Sequence, residues 1–443
     1  MLVSASKQTM TAHALFILQM AVIVTVAGLC GGLMSKLGQP RVVGEMIGGI
    51  LLGRSVMGAW APHIKDMLFP PGSLHTLELV SNLGLILYLF LEGLDLDVGT
   101  VWKQRSTALR VSLTSMGVPL ALGLLLALAM HRNYAGTNTN LLSFLLFFGT
   151  AICTTAFPVL ALILREHITK GDLGPTALVS AAIADVLGWT LLAVALTAVH
   201  TESSVKTLML RLAILLLYVV ALLGVFRPLA AKLIAWRGAP RFSRLLLGVF
   251  LVGALLSAFA TDRLGVHALF GAFLAGICLP RVPRWKRQLM RSIHPLVSIL
   301  LLPVFFAVTG MSADFGALLH LRAALWALAI LVVAIVGKVG GTYYAARKAN
   351  MSGENALALG ILMNTRGLVD LIVLNMAYEA GVFNRELFSA FILMALVTTA
   401  MTVPLLQWTQ RRAASREAKN NPIESDAVEG TIENNSVESS IAS

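Results

Sequence analysis

Five ionisable side chains fall inside long apolar stretches: Glu45, Asp185, Lys338, Arg366 and Asp370. A charge at the centre of a bilayer costs roughly 2.5–3.5 kcal/mol on insertion scales. Five unpaired groups would together cost roughly 12–17 kcal/mol, about the stability of a whole protein. They must therefore be paired, wetted or neutral part of the time. Asp185 stands out, in Ser180-Ala181-Ala182-Ile183-Ala184-Asp185-Val186-Leu187-Gly188-Trp189, with no charged neighbour in sequence. Low dielectric favours the protonated form of a carboxyl group, so the same oxygens can hold either a proton or a bare cation. Ion exchange needs that competition: one site, two ligands, and access from each side in turn. The plainer alternative is a neutral Asp bonding a neighbouring helix.

The other charges read as supports. Lys338, in Gly337-Lys338-Val339-Gly340-Gly341, could pair with Asp185 or Asp370, or cap the negative end of a half-helix. Arg366 keeps its charge under all conditions, which suits a structural ion pair better than proton carriage. Asp370 follows four residues later, on the same helix face if the helix has resumed, so the two are expected to pair. Glu45 is expected to bond an opened backbone or a neighbouring helix. Glu92, Asp95 and Asp97 close the third apolar stretch and read as a solvated inner mouth, with Glu92 partly buried. Cys30, Cys153 and Cys278 lack metal-ligand spacing and read as small packing residues. The nine His residues are scattered. No metal site beyond that for a transported cation is expected, and no cofactor.

These groups need elements to hold them, and composition says which solvent surrounds those elements. The 443 residues are 57% hydrophobic and 13% charged, where a soluble domain carries about 25% charged residues; lipid must be the solvent for most of the surface. The net charge of +12 does not point to nucleic acid, because the basic residues sit between apolar runs. At roughly 20 apolar residues per span, thirteen candidate helices lie near 13–34, 41–58, 77–94, 108–130, 141–164, 174–199, 207–228, 244–261, 265–281, 295–313, 322–346, 355–378 and 386–409. The first is too long for a signal sequence and reads as a true span. Residues 411–443 are polar and read as a disordered cytoplasmic tail. With the N-terminus outside, 23 Lys and Arg fall in inner segments and 9 in outer ones, which orients the chain N-out and C-in.

Thirteen helices divide as six, a linker (207–228) and six, which inverts the second half relative to the first. The fifth helix of each half is interrupted: one by Cys153-Thr154-Thr155-Ala156-Phe157-Pro158, the other by Asn364-Thr365-Arg366-Gly367. Interrupted segments at matching places in two halves are the sequence mark of a transporter binding site. The fold class is thus an all-α polytopic membrane protein with six-helix inverted repeats and two broken helices.

Several stretches carry a family resemblance. They are Gln39-Pro40-Arg41-Val42-Val43-Gly44-Glu45, Asn82-Leu83-Gly84-Leu85 leading to Gly93-Leu94-Asp95-Leu96-Asp97, and Thr155-Ala156-Phe157-Pro158-Val159-Leu160-Ala161. His267-Ala268-Leu269-Phe270-Gly271-Ala272, Leu302-Pro303-Val304-Phe305-Phe306-Ala307 and Asn364-Thr365-Arg366-Gly367-Leu368-Val369-Asp370-Leu371 complete the series. Over about residues 12–410 the chain resembles the monovalent cation/proton antiporters of the Kef type, which include plant cation/H+ exchangers and bacterial Na+/H+ antiporters.

The resemblance implies a core bundle with two crossing, broken helices (core about 108–199 and 322–409), dimerisation or panel helices (about 13–94 and 244–313), a homodimer, and elevator-like motion between the two units. It implies K+ or Na+ and H+ as cargo, a bacterial inner membrane, and Asp185 as the shared carrier. Thr154, Thr155 and broken-helix carbonyls would help dehydrate the ion, hard cations wanting oxygen ligands. Lys338, Asn364, Thr365, Arg366 and Asp370 would support the site. One departure matters: relatives carry Asp, Asn or Gln immediately before the carrier, and here that residue is Ala184. One carboxylate exchanging about one proton for one cation would make transport electroneutral.

Other readings keep the fold but change the function, either to export of another cation or small organic ion or to a non-transporting sensor. An intramembrane enzyme lacks support, since Ser180 has no helical His neighbour and no membrane Asp pair is present.

Overall fold

In lipid no water satisfies the backbone, so each span must bond its own N–H and C=O groups. The chain answers with helices. The computed structural model describes residues 11–95, 105–136, 139–167, 173–199, 205–236, 244–264, 267–279 and 283–420. The principal helices are α1 (Ala12–Lys36), α2 (Arg41–Leu52), α3 (Pro71–Asp95), α4 (Arg105–Tyr134), α5 (Leu141–Cys153), α6 (Phe157–His167) and α7 (Leu173–Val199). They continue with α8 (Val205–Ala221), α9 (Arg227–Trp236), α10 (Arg244–Arg263), α11 (Ala268–Cys278), α12 (Pro283–Leu296) and α13 (Leu302–Ser312). The last are α14 (Leu321–Lys348), α15 (Gly353–Met363), α16 (Leu368–Glu379) and α17 (Arg385–Asn420). Side-chain caps start several of them: Thr11, Asn140 and Ser352 accept from Ala14, Ser143 and Asn355 backbone N–H groups at 3.3, 2.7 and 3.2 Å.

Eleven of the described helical stretches are long and apolar enough to cross a membrane, or twelve if α15 and α16, bent by 43° at their break, form one span. The remaining candidate, the ninth in chain order near 265–281, is the 11-residue α11. At 1.5 Å per residue it is roughly 16 Å long, about half a bilayer core; residues 265–266 and 280–282 beside it lie outside the described set. Leu29, Leu217, Leu256 and Val336 stand more than half exposed on outward helix faces, as lipid-facing side chains should.

α17 runs past residue 411, the expected start of the polar tail, to Asn420. Its extension is rich in Ala, Arg, Glu and Lys, all good helix formers. Arg412 also lies 3.9 Å over the Trp408 ring. Asp97 and residues 421–443 lie outside the described residues.

Small residues set the closest crossings. α2 meets α13 where a Cβ on Gly49 would sit 2.1 Å from the Phe306 carbonyl oxygen. Backbones this near gain dispersion contact that larger side chains would forbid. α1 packs on α2, and α3 on α11 and α13; α4 packs on α5, α7 and α14, while α14 and α15 both pack on α17.

Candidate functional site

The two interrupted segments cross. After Cys153 the chain runs extended through Thr154-Thr155-Ala156 before α6 restarts at Phe157-Pro158. Pro tolerates a helix's first turn because its missing N–H would have no partner there. After Met363 the chain leaves the helix through Asn364-Thr365-Arg366-Gly367 before α16 begins. The segments are tied by Ala156 N–H to Thr365 O at 3.1 Å and by Thr155 Oγ1 to Met363 O at 3.2 Å.

Four half-helix ends therefore meet in a dry place, and their orphan groups need partners. Arg366, fully buried, supplies them for α5. Its guanidinium donates to the Ala151 and Thr154 carbonyls at 3.0 and 2.8 Å, and to the Ile152 carbonyl. A cation at a helix C-terminus also suits the macrodipole. The same guanidinium pairs with Asp370 Oδ1 at 2.9 Å, as the four-residue spacing suggests. Asp370 in turn caps α16, accepting from Gly367 N–H at 2.9 Å, and takes a hydrogen bond from the Thr154 hydroxyl. Thr399 on α17 clamps the Arg366 backbone, accepting from its N–H at 3.2 Å. Nothing in the sequence singles out Thr399.

Gly367 lets the crossing close. A Cβ there would lie 2.8 Å from both the Ala156 Cβ and a Val159 methyl. Gly367→Ala is therefore expected to destabilise the protein by about 1–3 kcal/mol, read as a lower unfolding temperature in detergent; an unchanged temperature contradicts this packing.

Lys338 corrects an expectation. It is fully buried on α14 but forms no ion pair with Asp185 or Asp370 among the described residues; its ammonium donates to the Thr155 hydroxyl. Capping of the α5 end falls to Arg366 instead. Lys338 still lies within electrostatic reach of Asp370, Asp185 and Arg366. Both Thr154 and Thr155 hydroxyls are thus engaged in protein hydrogen bonds. Thr365 donates to the Leu362 carbonyl, and the Asn364 side-chain oxygen is buried with no partner among the described residues.

Asp185 lies beside this crossing. Three residues on along α7, a Cβ on Gly188 would touch the Thr154 methyl at 3.1 Å. Asp185 is only 5% exposed, and its Oδ1 has no hydrogen-bond partner among the described residues. Lys338 attracts it, while Asp370 and Glu92 repel it. An unpartnered polar atom in such a place costs about 1–3 kcal/mol, so a proton or a cation has a reason to be held there.

Glu45 departs from its expectation: it pairs with Arg41 one turn back on its own helix, at 2.9 Å, and not with another element. Arg41 is the first residue of α2, where the expected span 41–58 also begins. The acidic end of α3 is braced by Asp95 and Lys286 at 2.6 Å, both partly exposed. At the other end of α3 a polar cleft is lined by Glu78, Asn82, His267, Asn375 and Glu379. From Glu78 to Asp95 along the helix is roughly 25 Å, so the two polar mouths flank the buried crossing. Among the described residues no three His, Cys, Asp or Glu are grouped to hold a metal ion.

The family model for the transmembrane sodium/hydrogen exchanger matches residues 21–408. The chain is 36% identical over 397 residues to the Na(+)/H(+) antiporter NhaS4 of Synechocystis, covering 88% of this chain and 96% of that one. It is 36% identical over 434 residues to Cation/H(+) antiporter 20 of Arabidopsis thaliana, covering 94% of this chain and 51% of that one. The chain spans about half the length of the plant relatives it matches. Its fold is similar to the solved structure of the sodium proton antiporter MjNhaP1 from Methanocaldococcus jannaschii, with a TM-score of 0.64, 15% identity, and coverage of 90% of this chain and 97% of that one.

Proposed function

The chain belongs to the transmembrane sodium/hydrogen exchanger family, a family of transporters and not of enzymes, and from that membership we propose that it exchanges a monovalent cation, K+ or Na+, for protons across a membrane. Asp185 is the shared carrier. The observation that carries this reading is its placement: a buried carboxyl group with an unpartnered oxygen, beside two crossed helix breaks. Protonated, Asp185 crosses with no net charge of its own. Deprotonated, it holds a cation, with oxygens such as the Asn364 side chain or the break carbonyls available to replace hydration.

The exchange works by alternating access, a reading the packing supports. α4–α7 and α14–α17 form one unit, which carries Asp185; α1–α3 and α10–α13 form the other, with α8 and α9 as the link. The first unit sliding against the second would carry the site from the Asp95–Lys286 mouth toward the Glu78–Glu379 cleft. Orientation is N-out and C-in, in a bacterial inner membrane, as a homodimer.

One carboxylate trading one proton for one cation moves no net charge. In proteoliposomes with an internal pH dye, Na+, K+, Li+ and Rb+ are each added in turn. At least Na+ or K+ is expected to evoke proton movement at a rate unchanged when the membrane potential is clamped to different values. A rate that follows the potential defeats the one-for-one stoichiometry, and no response to any cation defeats the function.

A further inference from the structure

Asp185 does not face the crossing alone. Glu92, on α3, lies within electrostatic reach of it, and so does Tyr88. Tyr88 sits one turn before Glu92, with its hydroxyl close enough to interact with the Glu92 carboxylate. One turn further toward the helix end, Asp95 pairs with Lys286; their side chains are 40% and 32% exposed, so water reaches that end. Lys286 also donates to the Asp95 carbonyl at 3.1 Å, which holds α12 against the end of α3.

Backbone packing fixes this approach. A Cβ on Gly93 would sit 2.1 Å from the Phe273 carbonyl oxygen, and one on Gly276 would sit 2.2 Å from that of Phe90. α3 and α11 are thus in backbone contact right beside Glu92. The Phe273 ring stacks on Trp189 of α7 with centroids 5.3 Å apart. Trp189 is one helical turn from Asp185, on the same face, and its own indole N–H is buried without a partner among the described residues. Glu92 therefore stands between a wetted ion pair and the buried carrier.

We propose that Glu92 is a second ionisable group of the exchange site, relaying the proton between Asp185 and water at the Asp95–Lys286 mouth. It rests on the exchange function above and extends it. In the release step, the O–H bond of protonated Asp185 breaks as a bridging water takes that proton and gives one of its own to the Glu92 carboxylate, where an O–H bond forms. Glu92 then gives that proton to water, and Asp185 is left as a carboxylate able to hold a cation. The return step is the reverse. The net charge of the carboxylate pair is unchanged during the transfer between them, so no isolated charge is created in the dry region. The groups facing Glu92 among the described residues are Tyr88 and Asp95 from α3, Lys286 from α12 and Asp185 from α7.

The test compares wild type, Glu92→Gln, Tyr88→Phe and Asp185→Asn in proteoliposomes, measuring initial rates against pH and against cation concentration. Glu92→Gln is expected to lower the maximal rate by about tenfold or more, to leave the half-saturating cation concentration within about twofold, and to remove one limb of the pH–rate profile. Tyr88→Phe keeps the carboxylate and is expected to displace that limb without removing it. A Glu92→Gln protein with wild-type rate and pH profile overturns the relay; so does one whose only change is weaker cation saturation. Should Glu92→Gln fail to fold, the Tyr88→Phe profile decides: a displaced limb supports the relay and an unmoved one overturns it. Exchange that persists in Asp185→Asn sinks the carrier role on which the relay rests, no cation response in wild type sinks the exchange function itself, and loss in Asp185→Asn alongside a wild-type-like Glu92→Gln sinks the relay alone.

Discussion

Arg366→Ala is expected to leave little folded protein after detergent extraction, with the remainder eluting as aggregate in size-exclusion chromatography. Arg366 is fully buried and satisfies the Ala151, Ile152 and Thr154 carbonyls together with Asp370. Alanine removes all of those donors and leaves Asp370 as a buried charge without its partner. Breaking a buried pair from one side costs about 3–5 kcal/mol, a large share of the roughly 5–15 kcal/mol that holds a typical protein together. The orphaned carbonyls add to that loss. Arg366→Ala combined with Asp370→Asn separates the two causes. Asparagine keeps one oxygen, enough for the Gly367 N–H or the Thr154 hydroxyl, which bond different carboxylate oxygens, and carries no charge. The double variant is expected to regain part of the stability, the carbonyls remaining without donors. A single Arg366→Ala variant that is monodisperse, with a wild-type unfolding temperature, contradicts this account of the crossing.

The breaks were legible because polar residues, Pro and Gly interrupt otherwise apolar helices at matching places. The Arg366–Asp370 pair was legible because helical spacing alone brings such residues together. What failed needed distances that a sequence does not hold. Lys338 reads as a partner for a carboxylate because charge calls for charge, yet its ammonium reaches the Thr155 hydroxyl from another helix. The Arg41–Glu45 pair has the same four-residue spacing as Arg366–Asp370, and the expected span 41–58 already begins at Arg41, so helical spacing alone could have found it. Glu92 reads as a partly buried member of the solvated mouth, and it is partly buried in the structure. Its nearness to Asp185 depends on how α3, α11 and α7 pack, through Gly93, Phe273 and Trp189. A helix of ordinary span length is expected near 265–281, but apolar character there extends beyond the helix itself, which stops at Cys278.

Asp185→Asn carries the largest expected effect on activity. Asparagine has nearly the same shape as aspartate, and Asp185 makes no ion pair among the described residues whose loss would disturb the fold. The protein is therefore expected to unfold within a few degrees of wild type. Transport differs. The amide neither takes up a proton at ordinary pH nor offers negative charge to a cation, so both ligands lose the group over which they compete. Lys338, whose charge Asp185 helps to balance, is left with less compensation. No other carboxylate can take over on α7, because the preceding residue is Ala184. Exchange is expected to fall by at least about a hundredfold, the scale associated with losing a positioned proton-transfer group. A folded, inactive protein separates this role from that of Arg366, where loss of activity would follow loss of structure.

The most direct measurement of the shared-carrier claim places wild type and Asp185→Asn in identical proteoliposomes, with a pH dye inside, an imposed proton gradient, and equal amounts of folded protein verified by size exclusion. The account predicts cation-evoked dye recovery in wild type and none above protein-free liposomes in Asp185→Asn. Recovery in Asp185→Asn at a rate comparable to wild type, with the same cation dependence, would contradict it.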